Sequence, residues 1–212
     1  MARSIWTGAI SFGLVNVPVK LYSATEDKDI HFNQFQKGTG ERIRYKRVAE
    51  SSGDEVDYDD IVKGYEFSKG RFVMVEPEEL EAVEPGKSRT IEIEDFVELD
   101  DVDPIYFEKT YYLAPQDGNG ADKAYALLRE AMEKANKVAI GRFVMRTKQY
   151  LVALRPQGKL LLLETMFFPD EIRATKELED LAKGAKVSDR ELKVAEQLID
   201  SLTSDWNPER YH

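Results

Sequence analysis

Between Val138 and Phe168 the chain reads VAIGRFVMR, QYLVALRP and KLLLLETMFF, three apolar runs separated by nothing longer than a tight turn. Runs of this length, rich in β-branched, aromatic and leucine side chains and joined by short turns, read as successive β-strands. Three in a row commit this part of the chain to a sheet, and tight connections make neighbours antiparallel.

The remaining elements fit around that sheet. SIWTGAISFGLVNVPVKLYSA reads as two more β-runs, punctuated by Gly13 and Pro18. FNQF is a further short run, RFVMVE a strand, TIEIEDFV a strictly alternating half-buried strand, and KTYYLA another. DKAYALLREAMEKA places Tyr125, Leu128, Met132 and Ala135 on one helical face. Pro77 opens a short helix, EPEELEAV, with acids in its first turn. Ser188 with Glu191 forms a capping box for a helix over about 188–203, whose apolar face carries Leu192, Ala195, Leu198, Ile199 and Leu202. The fold class is α+β, predominantly β: an antiparallel barrel with peripheral helices, in one domain covering 1–212.

Residues 37–70 break the pattern. KGTGERIRYKRVAESSGDEVDYDDIVKGYEFSKG is polar, charged and glycine-rich, with almost no apolar clusters. So long an excursion in a compact domain is functional or disordered. Ile43, Tyr45, Val48, Val56 and Tyr58 supply the β-propensity for a two-stranded arm around the turn ESSGD. Within it, ERIRYKRV packs four cations into residues 42–47. As a strand it points Arg42, Arg44 and Lys46 to one side and Ile43, Tyr45 and Arg47 to the other.

Charge is segregated. The whole chain carries 30 Lys and Arg against 40 Asp and Glu. Residues 1–49 hold eight cations against four acids, and residues 121–173 hold ten against six, so each region is locally +4. Residues 50–120 carry six against twenty-one. Segregation allows a local positive field on an acidic molecule. The absence of cysteine removes disulfides and thiolate metal sites, and no apolar run reaches membrane-spanning length. The N-terminus has no apolar core or cleavage site of a signal peptide, which places the expected protein in the cytoplasm.

Catalytic constellations find little support. His31 and His212 are the two histidines, and His31 reads as a polar strand-edge residue. Ser11 in GAISFG is at the wrong offset for a nucleophile elbow. EPGKS at 84–88 resembles a phosphate-binding loop, but Glu81 stands where that loop needs glycine. The acidic run DEVDYDD lacks the glycine and distal glutamate of a calcium loop and reads as a solvated charge run. A metal nuclease built on Asp57, Asp59 and Asp60 is the enzymatic rival. No catalytic residue, metal or cofactor is expected.

IWTGAISFGLVNVPVKLYSAT resembles the opening of the bacterial Ku proteins. The resemblance continues through IRYKRV, VDYDDIVKGYE, DVDPIYFEKTYYLAP, FVMRTKQYLVALRP, FFPDEIR and DWNPERYH, spanning nearly the whole chain. It implies a β-barrel with a bridge arm, two copies of which join in a ring around double-stranded DNA. The implied function is sequence-independent binding of DNA ends in non-homologous end joining, with a homodimeric protein recruiting an ATP-dependent DNA ligase near the nucleoid. Two extended segments of about ten residues reach roughly 33 Å, enough to cross a duplex.

On that resemblance Arg42, Arg44, Lys46 and Arg47 line the bridge, and Arg146 and Lys148 match a segment near the DNA-facing surface. Lys37 at the arm's root and Lys63 at its return complete the set. Arg155 and Lys159 read instead as solvated turn residues. Some relatives carry a Cys-x-x-Cys pair at positions matching Ala49 and Ser52; neither can ligate zinc, so strand pairing must hold this arm. Family members usually continue into a C-terminal helical region and a basic tail, so a chain stopping at Tyr211-His212 is expected to be a truncated core without that extension. The alternative reading is a barrel adaptor whose arm pairs with an acidic protein.

Overall fold

The computed structural model describes residues 3–76, 78, 79, 88–116, 118, 120–179, 184 and 186–211. They fall into two units, Met1–Ile172 and Arg173–His212. The short helix expected after Pro77 and the EPGK stretch lie largely outside the described residues.

The first unit is built on a closed barrel of seven strands. These are β1 (Trp6–Phe12), β2 (Val15–Ser23), β5 (Thr90–Val97), β6 (Phe107–Pro115), β7 (Val138–Met145), β8 (Lys148–Gln157) and β9 (Leu160–Met166), ordered β1-β2-β6-β9-β8-β7-β5. Every neighbouring pair is antiparallel except the last. β1 and β5 run parallel, with Ala9 opposite Thr90 and Ile10 opposite Ile91, and this pair closes the barrel. Two-residue periodicity sends Ile10, Val17, Val19, Leu21, Ile91, Leu113, Phe143, Val152, Leu154, Leu161 and Leu163 into the interior, where all are buried.

The registers set the two ends of the barrel apart. Trp6, Ser23, Thr90, Phe107, Met145, Lys148 and Met166 all stand at one end. At the other end lies helix α1 (Ala121–Ala135), which buries Tyr125, Leu128 and Met132 against β2, β6 and β8. Ala135, expected on that buried face, is exposed and lines an apolar groove with Phe12, Val15, Phe96 and Leu127. The buried stripe ends at Met132, so periodicity alone overstates it.

Between Ser23 and Thr90 no described residue belongs to a barrel strand. This excursion contains a separate two-stranded sheet, β3 (Lys63–Ser68) with β4 (Arg71–Val75). Its departure point at Ser23 and its return at Thr90 both lie at the barrel end opposite α1.

On the outer face of the barrel Glu164 is only 7% exposed. It accepts from Thr110 Oγ1 at 2.5 Å and from Arg155 Nε at 2.9 Å. Arg155 is therefore a sheet residue in β8 that neutralises a buried carboxylate, a pairing across two strands that a linear reading did not show. Lys159 sits exposed in the β8–β9 turn, as expected.

In the second unit, α2 (Asp189–Leu202) begins at the expected capping box. Glu191 N–H donates to Ser188 Oγ at 3.3 Å, and Ser188 N–H donates back to Glu191 Oε2 at 2.9 Å. The Ser188 hydroxyl also donates to Glu191 Oε2 at 2.6 Å, and this bond first, then the Ser188 N–H, holds the Glu191 carboxyl below its ordinary value. Its apolar side chains, Leu192, Leu198, Ile199 and Leu202, are exposed. Among the described residues no helix is long and apolar enough to cross a membrane.

Candidate nucleic-acid interface

The arm is organised by two turns of matching construction. In the first, Gln36 N–H donates to the Glu41 carbonyl at 2.8 Å and Gly40 N–H to the Gln36 carbonyl at 3.0 Å. In the second, Ala49 N–H donates to the Asp54 carbonyl and Gly53 N–H to the Ala49 carbonyl, both at 2.8 Å. Gly40 and Gly53 have φ of +72° and +76°, a conformation that costs side-chain-bearing residues about 1–2 kcal/mol. Thr39 and Ser52 hydroxyls each accept the backbone N–H two residues on.

The segment ERIRYKRV joins these turns. It is not one continuous strand as its alternation suggested. Pairing is confined to its ends, at Phe35 with Arg42 and Val48 with Glu55, each extended by one backbone bond to residues 34 and 56. Among the described residues no long partner strand faces its middle, so local β-propensity there has no ladder to join.

Its cations differ in how far they are already engaged. Arg42 donates to Asn33 Oδ1 at 2.9 Å. Lys46 pairs with Glu55 at 2.5 Å, and the Arg47 guanidinium lies 5.1 Å from the centre of the Tyr58 ring. Tyr45 donates to Gln34. The Arg44 side chain makes no hydrogen bond, ion pair or ring contact among the described residues, and neither do those of Lys37 and Lys63; all three are exposed. Charge in solvent at this density makes the segment a local source of positive potential.

A second cationic group sits at the arm end of the barrel. β7 and β8 are joined by Arg146 and Thr147, and Arg146 has φ of +62°. Lys148 Nζ lies 5.1 Å from the centre of the Tyr150 ring, and Lys109 Nζ lies 5.6 Å from that of Tyr111. Behind them the mouth is filled by aromatic rings: Trp6 meets Phe143 edge-on at 5.5 Å, and Phe143 meets Tyr150 at 5.7 Å. The Trp6 indole donates to the Val144 carbonyl at 3.1 Å. The Tyr111 hydroxyl is pushed above its ordinary value by burial, then by Tyr150 and Glu108, against an opposing pull from Arg146.

Lys109 was missed by sequence reasoning. Its signal was present as a repeated Lys-x-Tyr, at Lys109-Thr110-Tyr111 and Lys148-Gln149-Tyr150. Two-residue spacing in a strand puts both members on one face, so each lysine stands at the rim above a tyrosine that fills the mouth. Arg146, Lys148 and Lys109 thus belong to one end of the barrel, the end from which the arm departs.

The acidic stretch does not assemble a competing site. Asp59 and Asp60 lie in a short 3-10 turn, Tyr58–Asp60, with Asp57 preceding it. Among the described residues no three His, Cys, Asp or Glu side chains gather where they could hold a metal ion.

Comparison with known proteins follows the same lines as the fold. Residues 11–194 match the family model described as Ku: Ku70/Ku80 beta-barrel domain. The whole chain is 52% identical to non-homologous end joining protein Ku 1 of Saccharopolyspora erythraea over 212 residues, and it spans 65% of that protein's length. It is 47% identical to non-homologous end joining protein Ku of Heliobacterium modesticaldum, covering 100% of this chain and 76% of that protein. It is 50% identical to the protein of that name from Anaeromyxobacter sp., covering 100% and 71%. The closed barrel, the excursion rooted at one of its ends and this similarity over the full chain agree: the chain belongs to the Ku family.

Proposed function

We propose that this chain binds the ends of double-stranded DNA, independently of sequence, by threading them through a ring made of two copies, and that it serves non-homologous end joining. The observation that carries the reading is the convergence at one barrel end. The arm leaves and returns there, and Arg146, Lys148 and Lys109 rim the same end. Arg44, Lys37 and Lys63 add unengaged cations along the arm.

Such a surface suits a phosphate backbone. Flexible cations in solvent fix position on a duplex but do not read base edges. Neither an inserted recognition helix nor a metal centre is required. The names of the relatives support the process, and recruitment of an ATP-dependent DNA ligase belongs to the same reading.

The experiment is a trapping assay. Binding by backbone contacts alone gives Kd values of roughly 10⁻⁴ to 10⁻⁶ M for any duplex, linear or circular. A ring holds a linear duplex longer, because release requires travel back to an end. Capping both ends of a bound linear duplex with bulky groups traps the protein through a high-salt wash, while pre-capped duplex binds weakly. Equal binding to open and pre-capped duplex overturns threading and favours an open-cleft binder.

A further inference from the structure

The connection between β5 and β6 crosses the outside of the barrel from one end to the other. Val97 closes β5 at the α1 end and Phe107 opens β6 at the arm end, so residues 98–106 run the height of the wall. They do so in two short 3-10 turns, Leu99–Asp101 and Pro104–Tyr106, the second capped by Asp103, which accepts the Ile105 N–H at 2.9 Å. This strap is acidic: Glu98, Asp100, Asp101 and Asp103 follow closely, with no cation among them. Glu98 is paired with Lys137. The Asp100 and Asp101 carboxylates are exposed and make no hydrogen bond or ion pair among the described residues.

Beneath the strap the wall is apolar and incompletely covered. Ile140, Leu151 and Met166 come from the outer faces of β7, β8 and β9, since alternation turns them away from Ala139, Val152 and Leu163 of the core. They floor a cleft of about 300 Å³ whose rim carries Asp101 and Asp103. Pro169, followed by the exposed Asp170, stands on the same rim. A second cleft of about 470 Å³, lined by Asp100 and the buried Glu164, shares Val102 with the first. The cations of this wall are already engaged: Arg142 lies 3.4 Å from Glu94, and Arg155 donates to Glu164. The strap is thus a ridge of uncompensated carboxylates bordered by two hollows.

We propose that the strap is a docking site for a protein partner, and that it takes a basic peptide segment. A large apolar side chain of that segment seats on Ile140, Leu151 and Met166, and flanking Lys or Arg residues meet Asp100 and Asp101. Two features select this occupant. A hollow of about 300 Å³ is at the small end of ligand pockets, which suits an apolar side chain. Carboxylates without counter-charges disfavour a phosphate backbone and complement a cationic partner, steering its approach. The inference goes beyond the DNA-end reading and stands without it.

The test is fluorescence anisotropy with the full chain, each variant checked by circular dichroism and sedimentation velocity. The probes are a labelled peptide, Lys-Arg-Lys-Leu-Phe-Lys-Arg-Lys, and the same peptide with Ser-Ser in place of Leu-Phe. The first is expected to bind about tenfold more tightly, because the second keeps every charge and loses the apolar anchor. Asp100→Asn combined with Asp101→Asn weakens the first peptide about fivefold, whereas Asp59→Asn combined with Asp60→Asn leaves it within about twofold. Equal binding of the two peptides reduces the effect to general charge attraction and overturns the proposal. Equal losses in the two double variants overturn it too, by showing that overall acidity and not the strap is read. So does a lack of saturable binding below about 1 mM. A strap variant that changes sedimentation but not peptide binding assigns the strap to a second copy and overturns it as well.

Discussion

The Tyr125 hydroxyl accepts the Leu161 backbone N–H at 2.6 Å, tying helix α1 to the first turn of β9. The same hydroxyl donates to the Leu113 carbonyl at 2.5 Å, so one phenol satisfies two strand termini inside the buried helix–barrel junction. Tyr125→Phe leaves both backbone groups buried without a partner and lowers stability by about 1–3 kcal/mol per the usual cost of such groups. Urea denaturation monitored by circular dichroism measures it.

The same residue gives an alkaline signature. Burial raises the Tyr125 pKa above its ordinary value of 10.0, against smaller opposing effects of the Leu161 bond and Arg129. A group whose folded pKa is raised contributes stability that is complete below the unfolded pKa and is lost as pH rises through the folded one. Stability is therefore expected to fall above about pH 10. Tyr125→Phe makes that decline shallower; an identical alkaline slope would show that this phenol does not titrate with folding.

Closure of the barrel depends on two glycines with ordinary backbone angles. A Cβ at Gly8 would lie 2.1 Å from the Arg89 carbonyl oxygen, and one at Gly141 would lie 2.2 Å from that of Glu92. Both obstacles are backbone, which cannot turn aside. Gly8→Ala and Gly141→Ala are each expected to lose at least about 1–3 kcal/mol. Gly64→Ala, whose nearest contact is 3.5 Å from the Met74 sulfur, is the tolerated control. Thermal melts of the three variants give the comparison.

The arm cations are expected to contribute unequally. Arg44→Gln removes an unengaged cation and reduces the log–log salt dependence of duplex binding by about 0.9 for one phosphate contact. Lys46→Gln reduces it less, because Glu55 already competes for that ammonium. Glu55→Gln therefore strengthens binding. Titrations of one duplex at several salt concentrations separate these outcomes, and equal slopes for the two cation variants would contradict the ranking.

At the barrel rim, stability and binding are expected to part company. Arg146 holds φ of +62°, which glycine adopts without cost. Arg146→Gly relieves backbone strain of roughly 1–2 kcal/mol while deleting a rim cation. A raised melting temperature together with weaker duplex binding is the expected pair of results. Binding unchanged in this variant would remove Arg146 from the interface.

Most of the barrel could be read directly because its strands are long and alternating. TIEIEDFV and VAIGRFVMR appear as β5 and β7 with nearly the expected limits. The parallel β1–β5 closure could not be read, since pairing across the arm leaves no local pattern. The rim cations Arg146 and Lys148 follow from family resemblance, whereas the Lys-x-Tyr spacing shared by Lys109 and Lys148 gains meaning only once the barrel brings both strands to one mouth. ERIRYKRV was over-read as a strand. Its alternation is real, but a strand needs a partner, and the partners here meet only its ends.

The parallel closure also has a kinetic cost. Ala9 and Thr90 are 81 positions apart in the chain, and everything between β2 and β5 must be carried inside the loop that their pairing closes. Loop-closure entropy grows as about (3/2)RT ln n, so the intervening arm slows the search without strengthening the seam. The hairpins β1–β2, β7–β8 and β8–β9 need no such search and form first, leaving the β1–β5 seam as the late event. Until it shuts, two strand edges stay open to other chains, so aggregation during refolding is expected to scale with the length of the arm rather than with the stability of the barrel.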